Sequence, residues 1–354
     1  YFRKNKKFGS RDRRIVSDLC FCYFRTGQAF SSYNTEERML LGQFLCSRES
    51  QILLEMRPDW FENVHLPLPQ KLAMIGNDTS PHIFPFPELL SDRIDASQFN
   101  LSFLQQPDVF LRIRPGRHEI VRSRLATQAM PFEIETDAVR LPPGFKTEEI
   151  FQTDAEVVVQ DLNSQKVLDA LAAQPLPGHT LKVWDCCAAS GGKSLLAVDR
   201  FPRIELTVSD IRPSIIANLR KRFARAGISR YESFVLDVSV ASLPGHRNFD
   251  IIICDAPCSG SGTWARTPEQ LLFFKKEKVA AYARLQESIA VNAIRSLKKE
   301  GYFLYITCSV FAEENENVVS HISDHTGAQI LASGYYEGWN TRADTLFFAL
   351  FNLP

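Results

Sequence analysis

The sequence predicts an α/β protein: a doubly wound, mainly parallel sheet in the C-terminal part, preceded by a smaller region that is helical and then α+β. The main observation is that short apolar runs alternate with amphipathic stretches of helical length from about residue 150 onward. Such alternation is typical of a parallel sheet covered on both faces. A second observation is a turn of small residues after the first run, at the edge where such sheets bind ligands.

The first 149 residues divide into three segments. Residues 1–56 are predicted to be helical, because apolar side chains recur at helical spacing. Residues 57–107 are predicted to be an irregular connector, since six prolines interrupt its first part. Residues 108–149 are predicted to form a small α+β unit, with a strand near 109–113, a helix near 117–129 and a strand near 132–141.

Residues 150–354 carry the regular pattern and are predicted to be one domain. Five apolar runs are expected to be strands: 181–186, 205–209, 233–236, 250–254 and 301–306. Four stretches are expected to be helices: 191–200, 213–226, 270–298 and 313–326. Helices must cover both faces of this sheet, because its strands lack a polar face.

The net charge of zero is unevenly distributed. The 354 residues include 41 basic and 41 acidic side chains. Residues 1–30 hold eight basic and two acidic side chains, which sum to +6, so residues 31–354 sum to −6. This balance excludes a uniformly basic nucleic-acid coat and an acidic disordered chain, but it leaves room for local basic patches.

Hydropathy and cysteine spacing predict a cytoplasmic protein. No window approaches the length of about 18 apolar residues that a membrane-spanning helix needs, and no signal peptide is recognisable. The eight cysteines form no C-x-x-C pair and no zinc-type spacing. The sequence therefore predicts neither a disulfide framework nor a metal site.

A turn of small residues joins the first apolar run to its helix. Its last part, Gly192-Lys193-Ser194, matches the end of a phosphate-binding P-loop. The full pattern requires glycine at position 187, where Cys187 stands. A nucleotide-like ligand is still expected at this turn, but not a P-loop.

Acidic residues follow the next three apolar runs. Asp210 ends the second run, Asp237 follows the third and Asp255 ends the fourth. A carboxylate at the end of the second strand can accept hydrogen bonds from both hydroxyls of a ribose. The three acids are therefore predicted to line the ligand crevice.

Two cysteines come just beyond neighbouring strands. Cys258 follows the fourth run and Cys308 follows the fifth, each beside small polar residues. A lone cysteine is usually core packing. Two at adjacent strand ends indicate nucleophilic chemistry, because a thiolate is the best soft nucleophile a protein offers.

These motifs carry a family resemblance. The stretches DCCAASGGK, VSDIRPSIIANLRKRFARAGI, FDIIICDAPCSGSGTWARTPE and YITCSVFAEENE resemble, in this order, the Sun-type (RsmB-like) RNA (cytosine-5) methyltransferases of the bacterial ribosomal RNA branch. The resemblance covers about residues 108–354. Residues 1–56 are similar to a truncated NusB-like segment found ahead of some bacterial members.

The resemblance implies a seven-stranded methyltransferase sheet and S-adenosylmethionine as cofactor. It assigns Asp210 to the ribose hydroxyls, Asp237 to the adenine end and Asp255 to a place near both cofactor and target base. It assigns the methionine and ribose side to the turn residues Cys187, Ala188, Ala189, Ser190, Gly191, Gly192 and Lys193. The family usually has proline where Ser190 stands, so this turn is expected to be slightly looser.

The resemblance also implies the catalytic roles. Cys308 matches the nucleophile and Cys258 the second, product-releasing cysteine. Asp255 is expected to hydrogen-bond the base ring nitrogen, and Lys193 to orient that acid. No metal is expected.

The predicted reaction is methyl transfer to carbon-5 of a cytosine in RNA, with ribosomal RNA as the expected substrate. The alternatives are a transfer RNA methyltransferase, a non-catalytic ribosome-assembly protein that binds RNA, and a small-molecule methyltransferase. A monomer without membrane association is expected. Four basic patches are candidate RNA contacts: residues 1–14, 112–124 within the α+β unit, 220–225 and 275–278.

Overall fold

The structure is a computed structural model that describes residues 7, 9–76, 81–241, 243 and 248–354. The chain divides into two compact units. The first comprises Tyr1–Pro107 and Thr263–Lys276, and the second comprises Asp108–Gly262 and Glu277–Pro354. The predicted catalytic and cofactor residues all belong to the second unit.

The helices and strands of both units are numbered in chain order. The helices are α1 Ser10–Arg25, α2 Thr35–Cys46, α3 Gln51–Met56, α4 Pro58–Phe61, α5 Leu68–Met74, α6 Ala96–Ser102, α7 His118–Ala126, α8 Thr147–Ile150, α9 Leu162–Lys166, α10 Asp169–Ala172, α11 Gly192–Arg200, α12 Pro213–Arg225, α13 Gln270–Phe273, α14 Lys278–Ile294 and α15 Glu316–Thr326. The strands are β1 Val109–Ile113, β2 Glu133–Glu135, β3 Ala138–Leu141, β4 Val157–Val159, β5 Leu181–Asp185, β6 Ile204–Asp210, β7 Tyr231–Val235, β8 Phe249–Asp255, β9 Leu297–Thr307, β10 Gln329–Tyr336 and β11 Leu346–Asn352. Short 3-10 turns lie at Pro87–Leu89, Ser261–Thr263 and Ala312–Glu314.

The second unit is built on a seven-stranded sheet in the order β10-β11-β9-β8-β5-β6-β7. Strands β5 to β9 pair in parallel, whereas β11 and β10 are antiparallel additions beside β9. The strand order reverses at β5, which lies between β6 and β8. Ligands of doubly wound sheets bind at this reversal, outside the carboxyl ends of the strands. The predicted sheet is confirmed.

Two hydrophobic cores cover the two faces of this sheet. Alternating residues of β8 enter different cores: Ile252 joins one and Ile251 joins the other. The first core is closed by α14 and α15, through side chains such as Ala290 and Ile322. The second is closed by α10 to α12, through side chains such as Leu195. This arrangement explains why the strands read as continuous apolar runs.

The predicted α+β unit forms a four-stranded antiparallel sheet in the order β2-β3-β1-β4. Its last strand, β4, lies beyond the predicted boundary at residue 149. It still belongs to this sheet, because Leu111 in β1 pairs with Val159 of β4 on one side and with Val139 of β3 on the other. Arg112 and Arg114 form ion pairs with Asp199 of α11, at 2.6 and 2.8 Å. These pairs attach the small sheet to the helix that follows the cofactor turn.

The first unit is mostly helical, including part of the segment predicted to be an irregular connector. Helices α4, α5 and α6 lie within residues 57–107. Two of them begin with proline in the first turn, where its missing N–H costs no hydrogen bond. The prolines of this segment therefore start helices as well as interrupting them.

The segment 263–276 was predicted within the C-terminal domain but groups with the first unit. Trp264 is 1% exposed and packs 4.8 Å from Phe274 and 5.7 Å from Phe84, measured between ring centroids. Its role is aromatic packing.

None of the helices in the described ranges is long and apolar enough to cross a membrane.

Candidate active site

The carboxyl ends of β5, β8 and β9 bring the predicted catalytic residues together. Lys193 in the first turn of α11 contacts Asp255 at the end of β8, and Cys258 contacts Cys308 just beyond β9. In the parallel register, Asp255 lies opposite Ile306, two residues before Cys308. Residues distant in sequence thus share one edge of the sheet.

The turn after β5 adopts a compact conformation that small residues permit. Ala189 and Gly191 both have positive φ, at 45° and 84°. A Cβ atom on Gly191 would lie 2.7 Å from the Phe223 ring, so glycine is required there for space as well as for backbone conformation. Beyond Gly191, the first N–H groups of α11 lack intrahelical acceptors and are available to a ligand.

Ser190, where the related family usually has proline, is held by a neighbouring helix. The Arg222 guanidinium of α12 donates hydrogen bonds to the Ser190 hydroxyl at 3.1 Å and to its carbonyl at 3.3 Å. Arg222 is itself fixed by a 2.7 Å ion pair with the buried carboxylate of Asp154. Side-chain contacts therefore restrain the turn where proline would have stiffened it.

Asp210 lies against the same turn. Its carboxylate accepts hydrogen bonds from the backbone N–H groups of Ala189, at 3.1 Å, and Arg212, at 2.9 Å. The exposed Arg212 guanidinium also donates to it, at 3.0 Å. Asp237, after β7, accepts from the Ser239 backbone and hydroxyl with one carboxylate oxygen. Both carboxylates are thus oriented by local hydrogen bonds, and Asp210 lies directly against the turn.

Lys193 and Asp255 form a close ion pair with 2.5 Å between Nζ and Oδ2. The Lys193 side chain is 13% exposed. Burial lowers its pKa, but the Asp255 carboxylate outweighs burial and the net pKa of Lys193 is raised. The ammonium group therefore stays charged and fixes the direction of the Asp255 carboxylate.

The sulfur atoms of Cys258 and Cys308 are 3.4 Å apart. The Cys308 backbone is anchored by the Gly262 N–H, which donates to its carbonyl at 2.8 Å. A Cβ atom on Gly262 would lie 2.1 Å from the Thr345 carbonyl, so only glycine permits this close approach. The hydrogen bond with Cys308, together with burial, raises the pKa of the Cys258 thiol well above its ordinary value.

Asp185, at the end of β5, was not assigned a role by the sequence analysis. One carboxylate oxygen accepts a 2.6 Å hydrogen bond from Ser194, and the other is buried without a partner in the described part of the chain. Burial raises the pKa of Asp185 to about 7. Asp185 lies near the end of the first apolar run, as the other three acids lie at or just after the ends of the next runs, and this position was the signal in the sequence.

Three further thiols cluster beneath the turn. The sulfur atoms of Cys186, Cys187 and Cys254 lie within 4.8 Å of one another. Three thiolates can bind a soft metal ion. However, Cys186 and Cys254 are 1% and 0% exposed and belong to an apolar core. Their surroundings are those of packing residues, for which a thiol is a small apolar group.

Several basic side chains that were predicted to contact RNA form ion pairs within the protein instead. Arg112 and Arg114 pair with Asp199, Arg222 and Arg225 pair with Asp154, Arg124 pairs with Glu156, and Lys276 pairs with Glu88. Of the patch at residues 1–14, Arg3, Lys4 and Lys6 lie outside the described residues. Exposed side chains that remain in the patches include Arg117, Arg122 and Lys221.

The sheet order, the compact turn and the acids at the strand ends define the second unit as a doubly wound, Rossmann-like domain. Solved structures agree on the fold. The protein titled PH0851 superposes with a TM-score of 0.74 at 18% identity, over 99% of this chain and 92% of that chain. NSun6 from Pyrococcus horikoshii, solved with SFG, gives 0.62 at 14% identity, over 75% and 96%.

Sequence comparison then names the family. Residues 170–342 match the family described as 16S rRNA methyltransferase RsmB/F. Ribosomal RNA small subunit methyltransferase B from Xanthomonas campestris pv. campestris is 30% identical over 230 residues, which cover 61% of this chain and 49% of that protein. The chain spans about half the length of the curated relatives it matches. The predicted resemblance to the Sun-type (RsmB-like) family is confirmed over residues 170–342.

Proposed function

We propose that this chain transfers a methyl group from S-adenosylmethionine to carbon-5 of a cytosine in ribosomal RNA. The observation that carries the proposal is the pair of thiols, Cys258 and Cys308, 3.4 Å apart and beside the Lys193–Asp255 ion pair. Relatives named ribosomal RNA small subunit methyltransferase B support the ribosomal substrate.

The donor and acceptor groups at the turn fit S-adenosylmethionine. The free N–H groups at the start of α11 suit the carboxylate of its methionine part. Asp210 suits the two ribose hydroxyls, which would replace the exposed Arg212 guanidinium, and Asp237 suits the adenine end. When bound, the cofactor supplies an electrophilic methyl group on a sulfonium. The turn Cys187–Lys193 orients it.

Cys308 would then make the base reactive. Carbon-5 of cytosine is a poor nucleophile until a thiolate adds to carbon-6 and makes carbon-5 enamine-like. Asp255, held by Lys193, is placed to hydrogen-bond the ring nitrogen and stabilise the charge that develops there. After methyl transfer a base removes the carbon-5 proton, and the bond between carbon-6 and the Cys308 sulfur breaks, which releases the thiolate. Cys258 serves this last stage.

The target cytosine must leave its stack to reach Cys308, which is least costly in a single-stranded loop. Exposed basic residues such as Arg117 and Arg122 are candidates for contacts with the RNA backbone. Such contacts make affinity fall as salt increases. The chain is expected to act as a monomer in the cytoplasm.

The test uses labelled S-adenosylmethionine, total RNA and two substitutions. Cys308→Ala should abolish methyl transfer, and Cys258→Ala should trap a covalent protein–RNA adduct visible on a denaturing gel. Sequencing the labelled RNA separates ribosomal from transfer RNA. A wild-type chain that binds RNA without transfer would indicate an assembly factor, and labelling of small molecules alone would indicate the third alternative. Exchanged phenotypes of the two variants would contradict the assigned roles.

A further inference from the structure

Glu314 is a fully buried acid outside the predicted catalytic and cofactor residues. It ends the 3-10 turn Ala312–Glu314, shortly after Cys308. We propose that Glu314 is a positioning residue: its carboxylate ties the loop of Cys258 to the loop of Cys308 and holds the two thiols together. The effect of Glu314 on methyl transfer rests on the proposed function, but its effect on the distance between the two thiols does not.

One carboxylate spans both loops. Its Oε2 accepts the backbone N–H of Ser259 at 2.8 Å, and its Oε1 accepts the hydroxyl of Ser309 at 2.9 Å. Each serine directly follows one of the two cysteines. The two serine hydroxyls also form a hydrogen bond with each other, at 3.2 Å. The separation of the sulfur atoms is therefore set by a hydrogen-bonded bridge beneath them.

A third anchor comes from α14. The Gln286 side-chain amide donates to Glu314 Oε2 and to the Pro257 carbonyl, both at 2.9 Å. Gln286 is fully buried, and Pro257 directly precedes Cys258. The loop of Cys258 is thus held on one side by an amide and on the other by a carboxylate, and the helix supplies a rigid support for both.

Glu314 is also an acidic neighbour of the Cys258 thiol. Burial raises the pKa of Glu314, and the donors from Ser259, Ser309 and Gln286 oppose that rise. The titratable groups that face Glu314 are Cys258, Tyr282 of α14 and Tyr305 of β9. The donors from Ser259, Gln286 and Ser309 to its carboxylate are all uncharged.

Cys308 has a cationic neighbour. The Lys193 ammonium interacts with the Cys308 sulfur as well as with Asp255. The Glu314 carboxylate adds to the hydrogen bond with Cys308 and to burial in raising the pKa of the Cys258 thiol. A carboxylate therefore lies beside Cys258 and an ammonium group beside Cys308.

The decisive experiment measures how fast Cys258 and Cys308 join when the full chain is treated with hydrogen peroxide. The two thiols lose their protons and two electrons to form one sulfur–sulfur bond, and the peroxide is reduced to two waters. Peptide mapping of the disulfide gives the rate. Glu314→Ala should slow it about tenfold, because the bridge is lost. Glu314→Gln keeps the length and two-sided hydrogen bonding, and should restore the rate to near wild type.

Glu313→Ala is the matched control, since it removes a neighbouring acid of the same turn and should leave the rate unchanged. A wild-type rate in folded Glu314→Ala would overturn the proposal. If that variant does not melt cooperatively, Ser309→Ala decides instead: it removes one arm of the bridge and should slow the rate about threefold. An unchanged rate in Ser309→Ala would then overturn the proposal.

Methyl transfer supplies the second readout. Glu314→Ala should lower the single-turnover rate and leave the dissociation constant for S-adenosylmethionine unchanged, with partial rescue in Glu314→Gln. A wild-type chain that methylates no RNA would refute the proposed function, while the disulfide rates would still decide the role of Glu314.

Discussion

The Lys193 ammonium and the Asp255 carboxylate form a close ion pair in the candidate active site, with 2.5 Å between Nζ and Oδ2. Lys193 lies in the first turn of α11 and Asp255 ends β8, so the pair links the turn after β5 to the strand that leads to Cys258. The contact keeps Lys193 charged and aims Asp255. Removing either partner leaves the other charge partly buried and uncompensated.

Lys193→Met is therefore expected to lower the single-turnover rate of methyl transfer by at least about a hundredfold, as loss of a preorganised electrostatic group does. The rate is measured with labelled S-adenosylmethionine in excess over RNA. Lys182→Met is the control, because this exposed lysine lies in β5 away from the carboxyl end of the strand. A loss of less than about threefold in Lys193→Met would count against the proposed role of the ion pair.

Asp185 should make stability depend on pH. Its pKa is raised by burial from 3.8 to about 7, so the folded state holds a proton that the unfolded state has lost. Its contribution to stability is full below about pH 4 and is lost as pH rises to about 7, by up to about 1.4 kcal/mol per pH unit. Asp185→Asn removes this loss and can still accept from Ser194.

Denaturant unfolding of both proteins between pH 4 and 8 measures the effect. The stability advantage of Asp185→Asn over wild type should grow as pH rises toward about 7 and then level off. An advantage that stays constant with pH would show that Asp185 does not titrate in this range.

Arg222 and Arg225 offer a matched comparison, since both pair with Asp154 but only Arg222 also binds Ser190. Arg222→Ala should weaken S-adenosylmethionine binding by about three- to tenfold, because the turn loses its hydrogen bonds. Arg225→Ala should leave affinity near wild type. Titration calorimetry gives both dissociation constants. If both substitutions weakened S-adenosylmethionine binding equally, the lost ion pair with Asp154 would be the cause, and not the lost hydrogen bonds to the turn.

The sequence predicted the sheet and the grouping of site residues because both follow from local patterns. Apolar runs fix which segments become strands, and parallel pairing brings Asp255 and Cys308 to one edge without further information. Helix ends were also close to prediction: α12 covers Pro213–Arg225, against 213–226 expected.

The remaining features depend on contacts between distant residues. The expected helix at 270–298 is two helices, α13 and α14, followed by the start of β9. The arginines of the proposed RNA patches could not be distinguished from structural ones, because Asp199 pairs with Arg112 from 87 positions away. The role of Glu314 could not be predicted from the sequence either, because its partners Ser259 and Gln286 lie in other segments of the chain.

The pairing of β8 with β9 has a consequence for how this chain can be altered. Consecutive Cα atoms are about 3.8 Å apart along the chain, which exceeds the 3.4 Å that separates the two sulfur atoms. Deleting or inserting one residue in the loop between Asp255 and Cys258 could therefore displace the thiol by as much as that separation. Apolar exchanges within the strands, such as valine for Ile252, leave that distance intact. In protein engineering, the distance between the Cys258 and Cys308 sulfur atoms should thus tolerate apolar substitutions in the strands far better than insertions or deletions in the loop before Cys258.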